Sequence, residues 1–261
     1  MLWYPVITTT IQSFPAHMNA DSRFGLQKLT LLDYPGKVAC TIFLHGCNFR
    51  CPFCHNASLV VVPEEDSAMI TLNELKDFLS KRGKILDGAC ITGGEPMMRP
   101  DLADLLELLR SHKLLVKLDT NGSFPDRLKD VVERRLVDAV AMDVKNTYAK
   151  YDETTGVTGM ADRVAESAAY LKSAPLDYYE LRTTVVRQFH TVDDLAEIAR
   201  EHAGVEHYFL QKFKDSGDLL GAGLSAMPDD EMARALEAVR EFIPNARLRG
   251  VDAADTTETK S

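Results

Sequence analysis

The strongest constraint on how this chain can fold is a repeated alternation of short apolar runs with amphipathic helical patterns. The runs are Val38–Leu44, Ala89–Thr92, Leu115–Asp119, Val137–Asp143, Tyr179–Val186 and His207–Gln211. They are rich in Val, Ile, Leu and Phe, as strands buried on both faces are. Helical patterns fill the gaps. Thr71-Leu72-Asn73-Glu74 reads as a capping box ahead of Leu75, Phe78 and Leu79 on one face. Asp101 is placed to cap a helix with Leu102, Leu105, Leu106 and Leu109 on its apolar side, and Pro125 suits the first position of another. Further helices are expected over 162–172, 191–201 and 228–242, the last with Met232, Leu236, Val239 and Ile243 as its buried stripe.

Alternation of this kind builds a parallel sheet with helices outside it. The runs ending at Thr92, Asp119 and Asp143 are each about one strand–helix unit apart. Six such units fall short of an eight-fold barrel. The expected fold is therefore α/β, a partial (β/α)6 barrel with parallel strands inside and helices outside; a doubly wound sheet is the alternative. Residues 1–22 show no period and are expected to form an N-terminal arm, within which Met18 is a second candidate start. Residues 23–252 are expected to form one domain and 253–261 a tail.

Composition narrows the function. A net charge of −9 argues against a broad nucleic-acid-binding face. No apolar run approaches the roughly 20 residues of a membrane span, and residues 1–20 lack the basic start of a secretory signal. The five cysteines do not form a disulfide framework and point to a reducing compartment. A cytoplasmic protein with no nucleic-acid or membrane partner is expected.

The unusual polar residues fall at the C-terminal ends of the expected strands, the rim where barrel-type α/β enzymes build their sites. Cys47, Cys51 and Cys54 follow the first run at C-x3-C-x2-C spacing. Thiolates are soft ligands that suit an iron–sulfur centre or zinc, and a zinc site could be completed by His45 or His55. Three local thiolates would leave one iron of a four-iron cluster open. Gly93-Gly94-Glu95-Pro96 follows the second run, Asp119-Thr120-Asn121-Gly122 the third, and Asp143-Val144-Lys145 the fourth; Arg182 lies in the fifth, and Gln211-Lys212 ends the sixth. Each cluster alone is an ordinary turn or a solvated strand end. Together on one rim they describe a ligand site. Adjacent glycines let backbone approach an ammonium group. Glu95, Asp119 and Asp143 offer acceptors for amines and hydroxyls, and Lys145 and Arg182 can hold a carboxylate.

The C-x3-C-x2-C motif, with Phe53 before its last Cys, resembles the signature of the radical S-adenosylmethionine superfamily, and Gly93–Pro96 resembles its methionyl-amine motif. The segments GLQKLTLLDYPGKVACTIFLHGCNFRCPFCHN (Gly25–Asn56), ITGGEP, VKLDTNG, VAMDVK and LRTTVV resemble activating proteins of anaerobic ribonucleoside-triphosphate reductase. This resemblance implies an oxidoreductase in which Cys47, Cys51 and Cys54 ligate a [4Fe–4S] cluster whose fourth iron binds the amine and carboxylate of S-adenosylmethionine. Reduction by flavodoxin or ferredoxin would give methionine and a 5′-deoxyadenosyl radical, which takes hydrogen from a glycine of the partner glycyl radical enzyme. It further implies that Gly93 and Gly94 contact the methionyl amine and that Phe53 packs near the adenine. Asp119, Thr120 and Asp143 would bind the cofactor and a monovalent cation. Lys145 and Arg182 would lie near the methionyl carboxylate or the substrate peptide. Pyruvate formate-lyase activases carry a His after the sixth strand, where this chain has Phe213, which tilts the reading to the reductase. The alternatives are activation of a pyruvate formate-lyase type enzyme, small-molecule chemistry like that of 7-carboxy-7-deazaguanine synthases, and a structural zinc protein.

Cys40 and Cys90 lie inside expected strands and read as buried structural thiols. His55 either touches the cluster or caps a turn. His112, His190, His202 and His207 read as surface or helix-end residues. Asp229, Asp230 and Glu231 read as first-turn acids favoured by a helix dipole.

Overall fold

A computed structural model describes residues 18–19, 21–60 and 69–251. Most of the arm expected over 1–22, and the tail expected over 253–261, lie outside the described residues. The strands are β1 (Arg23–Thr30), β2 (Ala39–Leu44), β3 (Ile70–Thr71), β4 (Gly88–Gly93), β5 (Leu115–Thr120), β6 (Ala139–Asp143), β7 (Tyr178–Val185), β8 (Tyr208–Lys212) and β9 (Arg247–Arg249). The helices are α1 (Ala57–Val60), α2 (Leu72–Arg82), α3 (Leu102–Ser111), α4 (Pro125–Glu133), α5 (Tyr151–Thr155), α6 (Ala161–Leu171), α7 (Val192–Glu201) and α8 (Asp229–Arg240).

The nine strands of the described residues form one sheet in the order β3-β1-β2-β4-β5-β6-β7-β8-β9. The run from β2 to β9 is parallel throughout, so its six longer strands are the six apolar runs of the sequence. β1 is antiparallel to β2, and β3 to β1. The sheet's two edges are β3 and β9, as in an open, partial barrel. The parallel strands all point their C-terminal ends at the same rim. Buried Leu and Val from α2, α3, α4, α6, α7 and α8 join one core with the strands, and at about 25 cal/mol per Å² this burial is the main stabilising term.

The capping signals are realised twice. Thr71 and Glu74 form a reciprocal capping box on α2, and Thr191 and Asp194 form one on α7. Asp101 precedes α3 but does not cap it. Its carboxylate accepts hydrogen bonds from Arg99 Nε at 2.8 Å and from Ser22 Oγ at 3.0 Å instead.

The three added strands carry little apolar signal. β1 mixes polar and apolar residues along its length and β3 has two residues. β9 holds its place by charge: Arg249 donates to both oxygens of buried Glu180 at 2.7 and 2.8 Å and lies 3.4 Å over the Phe209 ring.

Candidate functional site

Leu44 ends β2 and Gly93 ends β4, side by side in register. Their loops stay in contact beyond the strands: Gly94 N donates to Leu44 O at 2.8 Å and Glu95 N to Gly46 O at 2.7 Å. Glycine is required here. A Cβ on Gly93, at φ +116°, would stand 2.4 Å from Leu44 O, and one on Gly94 would stand 2.0 Å from Gly46 O. The close approach fixes the start of the cysteine loop relative to the end of β4.

That loop is held from several sides. Arg50 NH1 donates to Cys47 O at 2.6 Å and Phe49 O at 2.8 Å, and Arg50 N donates to Thr155 O at 2.7 Å. Phe49 meets the Tyr151 ring edge-on and Phe53 packs on Phe189 with centroids 5.5 Å apart. Gly221 N donates to Pro52 O at 2.7 Å, which ties the segment after β8 to the cysteine loop. Cys47 Sγ accepts from Phe49 N at 3.4 Å, and Asn121 Nδ2 lies 4.0 Å from the same sulfur while bonding Asn48 Oδ1 at 2.9 Å.

Cys47, Cys51 and Cys54 all line one cavity of about 180 Å³ at the strand-end rim. Phe53, Gly93, Gly94, Asp119, Thr120, Asp143, Lys145 and Arg182 line it too. The structure thus brings together every expected site residue except one. Burial pushes the Cys47 thiol up to about 12 and the Cys51 thiol up to about 11, the carboxyl of Glu95 adding to the first. Such thiols ionise when a metal takes the proton's place.

Glu95 is the exception: it does not line the cavity. It is 0% exposed, and its carboxylate is spent on the protein itself. It accepts from Met97 N at 2.9 Å, Thr120 Oγ1 at 2.8 Å and Asn121 N at 2.6 Å. Burial raises its pKa to about 7 against those three bonds. Glu95 is a strut between the β4 and β5 ends, not a wall of the cavity. The Thr120 hydroxyl is committed to the same strut.

Asp119, Asp143, Lys145 and Arg182 form a chain of charges. Arg182 Nε donates to Asp143 Oδ1 at 2.5 Å and its NH2 to Asp119 Oδ2 at 3.2 Å; Lys145 Nζ donates to Asp143 Oδ2 at 2.9 Å. Burial opposes ionisation of Asp143, but Arg182 and Lys145 outweigh it and hold the carboxyl far below the usual carboxylate range. Lys117, which the sequence reading passed over, completes the chain by donating to Asp119 Oδ1. Its signal was a lysine within the apolar run Leu115–Leu118.

Three histidines differ from or extend the expectations. His190 is buried, with Nε2 2.9 Å from Lys145 O and Nδ1 3.1 Å from Val186 N, so it backs the Lys145 segment. His202 is buried against Tyr148, and its Nε2 has no hydrogen-bond partner among the described residues. His55 stacks on Phe213 and lines the cavity. Cys40 and Cys90 are buried in β2 and β4. Lys212 turns away from the site to pair with Asp229 at 2.5 Å.

Comparison with known proteins agrees with this geometry. A model of the radical SAM superfamily matches residues 41–202. The chain is 28% identical over 236 residues to a protein of Methanocaldococcus jannaschii to which glycyl-radical enzyme activation is ascribed, covering 87% of this chain and 95% of that one. A Haemophilus influenzae protein with the same ascription is 26% identical over 222 residues, covering 76% and 84%. Among solved structures, Streptococcus suis SuiB bound to S-adenosylmethionine superposes with a TM-score of 0.62 at 15% identity, over 80% of this chain and 49% of that one; at that identity the likeness is one of fold.

The superfamily works with a [4Fe–4S] cluster and S-adenosylmethionine. The residues present fit both. Three thiols lining one cavity are the soft donors an iron–sulfur cluster takes. The lining also carries Lys145 and Arg182 beside Asp119 and Asp143, and with Lys117 buried behind Asp119 the group holds one more cation than carboxylate, which suits an amino acid's carboxylate. The chain belongs to the radical SAM superfamily and is an enzyme of it.

Proposed function

We propose that this enzyme installs a glycyl radical on anaerobic ribonucleoside-triphosphate reductase. The observation that carries the reading is the cavity in which three cysteines of one loop face the charge chain at the ends of β5, β6 and β7. The relatives' ascribed activity supports a glycyl radical enzyme as the partner. The segments Gly25–Asn56 and Val116–Gly122, with Phe213 in place of a histidine, favour the reductase over pyruvate formate-lyase.

In this reading Cys47, Cys51 and Cys54 would hold the iron–sulfur cluster, with room beside it for the amine and carboxylate of S-adenosylmethionine. When bound, the cluster supplies the electron that breaks a carbon–sulfur bond of S-adenosylmethionine and so starts radical chemistry. The chain's own residues orient and enclose. Gly93 and Gly94 present backbone to the methionyl amine, and Lys145 and Arg182 present cationic hydrogen-bond donors to the methionyl carboxylate. Phe53 and Phe49 give the cavity an apolar wall on the cluster side, which lowers its local dielectric and strengthens the charged contacts opposite. Asp119 and Asp143 hold Arg182 and Lys145 in place. Residues 23–252 would act as one radical SAM domain, in the cytoplasm, with flavodoxin or ferredoxin as electron donor. No helix among the described residues is long and apolar enough to cross a membrane.

The test is to mix the anaerobically reconstituted protein, S-adenosylmethionine and a reductant with the catalytic subunit of an anaerobic ribonucleotide reductase, and to record EPR spectra. A glycyl-radical doublet on that subunit, absent with pyruvate formate-lyase, supports the assignment. A doublet on pyruvate formate-lyase alone, or cofactor cleavage coupled only to a small-molecule product, overturns it.

A further inference from the structure

The resemblance to activating enzymes implies a monovalent cation at Asp119, Thr120 and Asp143, but the side chains around those carboxylates leave it no role. Each of the four carboxylate oxygens already accepts a bond from a built-in cation. Asp119 Oδ1 accepts from Lys117 Nζ, Asp119 Oδ2 from Arg182 NH2, Asp143 Oδ1 from Arg182 Nε, and Asp143 Oδ2 from Lys145 Nζ. The Thr120 hydroxyl is turned to Glu95. Three cations face two carboxylates, so the group is positive before any ion arrives. In a buried setting that excess repels a further cation strongly and attracts an anion.

Lys117 is the member that creates the excess. It sits two residues before Asp119 on β5, on the same face of the strand by the two-residue alternation. It is 3% exposed, with Cys90 Sγ of the neighbouring strand 3.8 Å away. Without its ammonium, the remaining charges would cancel, and Asp119 would turn an unsatisfied oxygen towards the cavity it lines. That vacancy is what a sodium or potassium ion would fill. We propose that the Lys117 ammonium is a tethered cation that takes the place of a free monovalent ion at Asp119, so that this enzyme binds S-adenosylmethionine independently of sodium and potassium. Lys117 is a positioning residue: it fixes Asp119, which fixes Arg182. Burial alone would discharge it, but the Asp119 carboxylate outweighs that effect and keeps it protonated.

The inference rests on the reading that this cavity holds the cluster and S-adenosylmethionine, and its test separates the two. The reconstituted holoenzyme, reduced photochemically with a deazaflavin in buffer free of sodium and potassium, is titrated with S-adenosylmethionine in tetramethylammonium buffer, then in the same buffer with sodium or potassium chloride. The readout is the cofactor-induced change in the cluster's EPR spectrum. The wild type is expected to give the same apparent affinity in all three. Lys117→Met, which keeps the length and loses the charge, is expected to bind about tenfold more weakly in tetramethylammonium, the size of one lost charged hydrogen bond. Sodium or potassium is expected to restore most of that loss in the variant alone. A wild-type response that strengthens with sodium or potassium overturns the proposal, even if Lys117→Met fails to fold. A folded Lys117→Met that binds like the wild type in tetramethylammonium also overturns it. A reduced cluster indifferent to S-adenosylmethionine in every buffer overturns the functional reading, and the proposal with it.

Discussion

Gly94→Ala tests whether the β2 and β4 ends are locked at the distance the site requires. The added Cβ would lie 2.0 Å from Gly46 O and 2.6 Å from Gly46 C, both backbone atoms that no rotamer change can move. Restoring an ordinary contact means moving the two loops apart by more than 1 Å (roughly, from the van der Waals separation of about 3.5 Å). That stretches the bonds Gly94 N to Leu44 O and Glu95 N to Gly46 O, now 2.8 and 2.7 Å, past any useful length. Two lost hydrogen bonds at about 1 kcal/mol each, with overpacking strain of about 1–3 kcal/mol, give a cost near 4 kcal/mol. For a chain of this size that lowers the melting temperature by about 10 °C. The assay is thermal unfolding of anaerobically purified protein by circular dichroism, alongside iron analysis. Gly36→Ala is the control: its φ is +70° but nothing lies within 4 Å of the new Cβ, so it carries only backbone strain of about 1–2 kcal/mol. Gly94→Ala should lose both stability and bound iron, because Gly46 leads directly into Cys47. If it melts within about 2 °C of the wild type and carries a full iron complement, the locked-distance argument is wrong.

Replacing Cys47, Cys51 or Cys54 with Ala should abolish the cluster, seen as loss of iron and of its visible absorbance; a normal cluster in any one would remove that thiol from the ligand set. Asp143→Asn should cost about 3–5 kcal/mol in urea unfolding, because it strips charge from the Asp143 contacts of Arg182 and Lys145 inside the protein, and an unchanged midpoint would show the chain of charges to be well solvated. Burial lowers the His202 pKa from 6.5 to about 4, so the unfolded chain binds a proton there that the folded chain does not. Stability should be unaffected above pH 6.5 and fall as pH drops towards 4, by about 3 kcal/mol from this residue. His202→Leu should flatten that part of the curve, and an unchanged slope would refute it.

The six long parallel strands were legible because burial on both faces forces apolar runs, and those runs match β2, β4, β5, β6, β7 and β8 to within a residue or two. The edges were not. β1 buries only Phe24 and Thr30 of the stretch Arg23–Thr30, and β9 is anchored by Arg249 on Glu180 and Phe209, so neither is a continuous apolar run. At the site, residue type and strand-end position single out the cysteines, the glycines, Asp119, Asp143, Lys145 and Arg182, which the structure gathers around one cavity. They do not show which way the Glu95 carboxylate turns in Gly-Gly-Glu-Pro; Asn121 N and Met97 N claim it from inside. Lys117 looks like an isolated polar residue in an apolar run until strand alternation sets it on the face of Asp119, and His190 looks like a surface residue until the pairing of β6 with β7 brings the Lys145 segment alongside it.

The inner face of β5, β6 and β7 is an expensive place for charge. Lys117, Asp119, Asp143, Lys145 and Arg182 together bury charges whose desolvation cost their mutual attraction offsets only in part. Outside that face the same strands are lined by Val116, Leu118, Val140 and Leu181, which join the core under the helices. A small barrel ordinarily fills its interior with apolar side chains, and nothing in the helix packing requires otherwise here. The polar interior is therefore what function has taken from stability, and local rules break where a site is built. The consequence is a test with opposed readouts. Replacing Lys117 and Asp119 together by Met and Leu removes one cation and one carboxylate and leaves the charge balance unaltered. It should hold or raise the urea midpoint, as apolar substitutes for buried pairs often do. It should also weaken S-adenosylmethionine binding, because Arg182 loses its Asp119 anchor. A double variant that is both less stable and unimpaired in binding would show that the pair serves the fold and not the site.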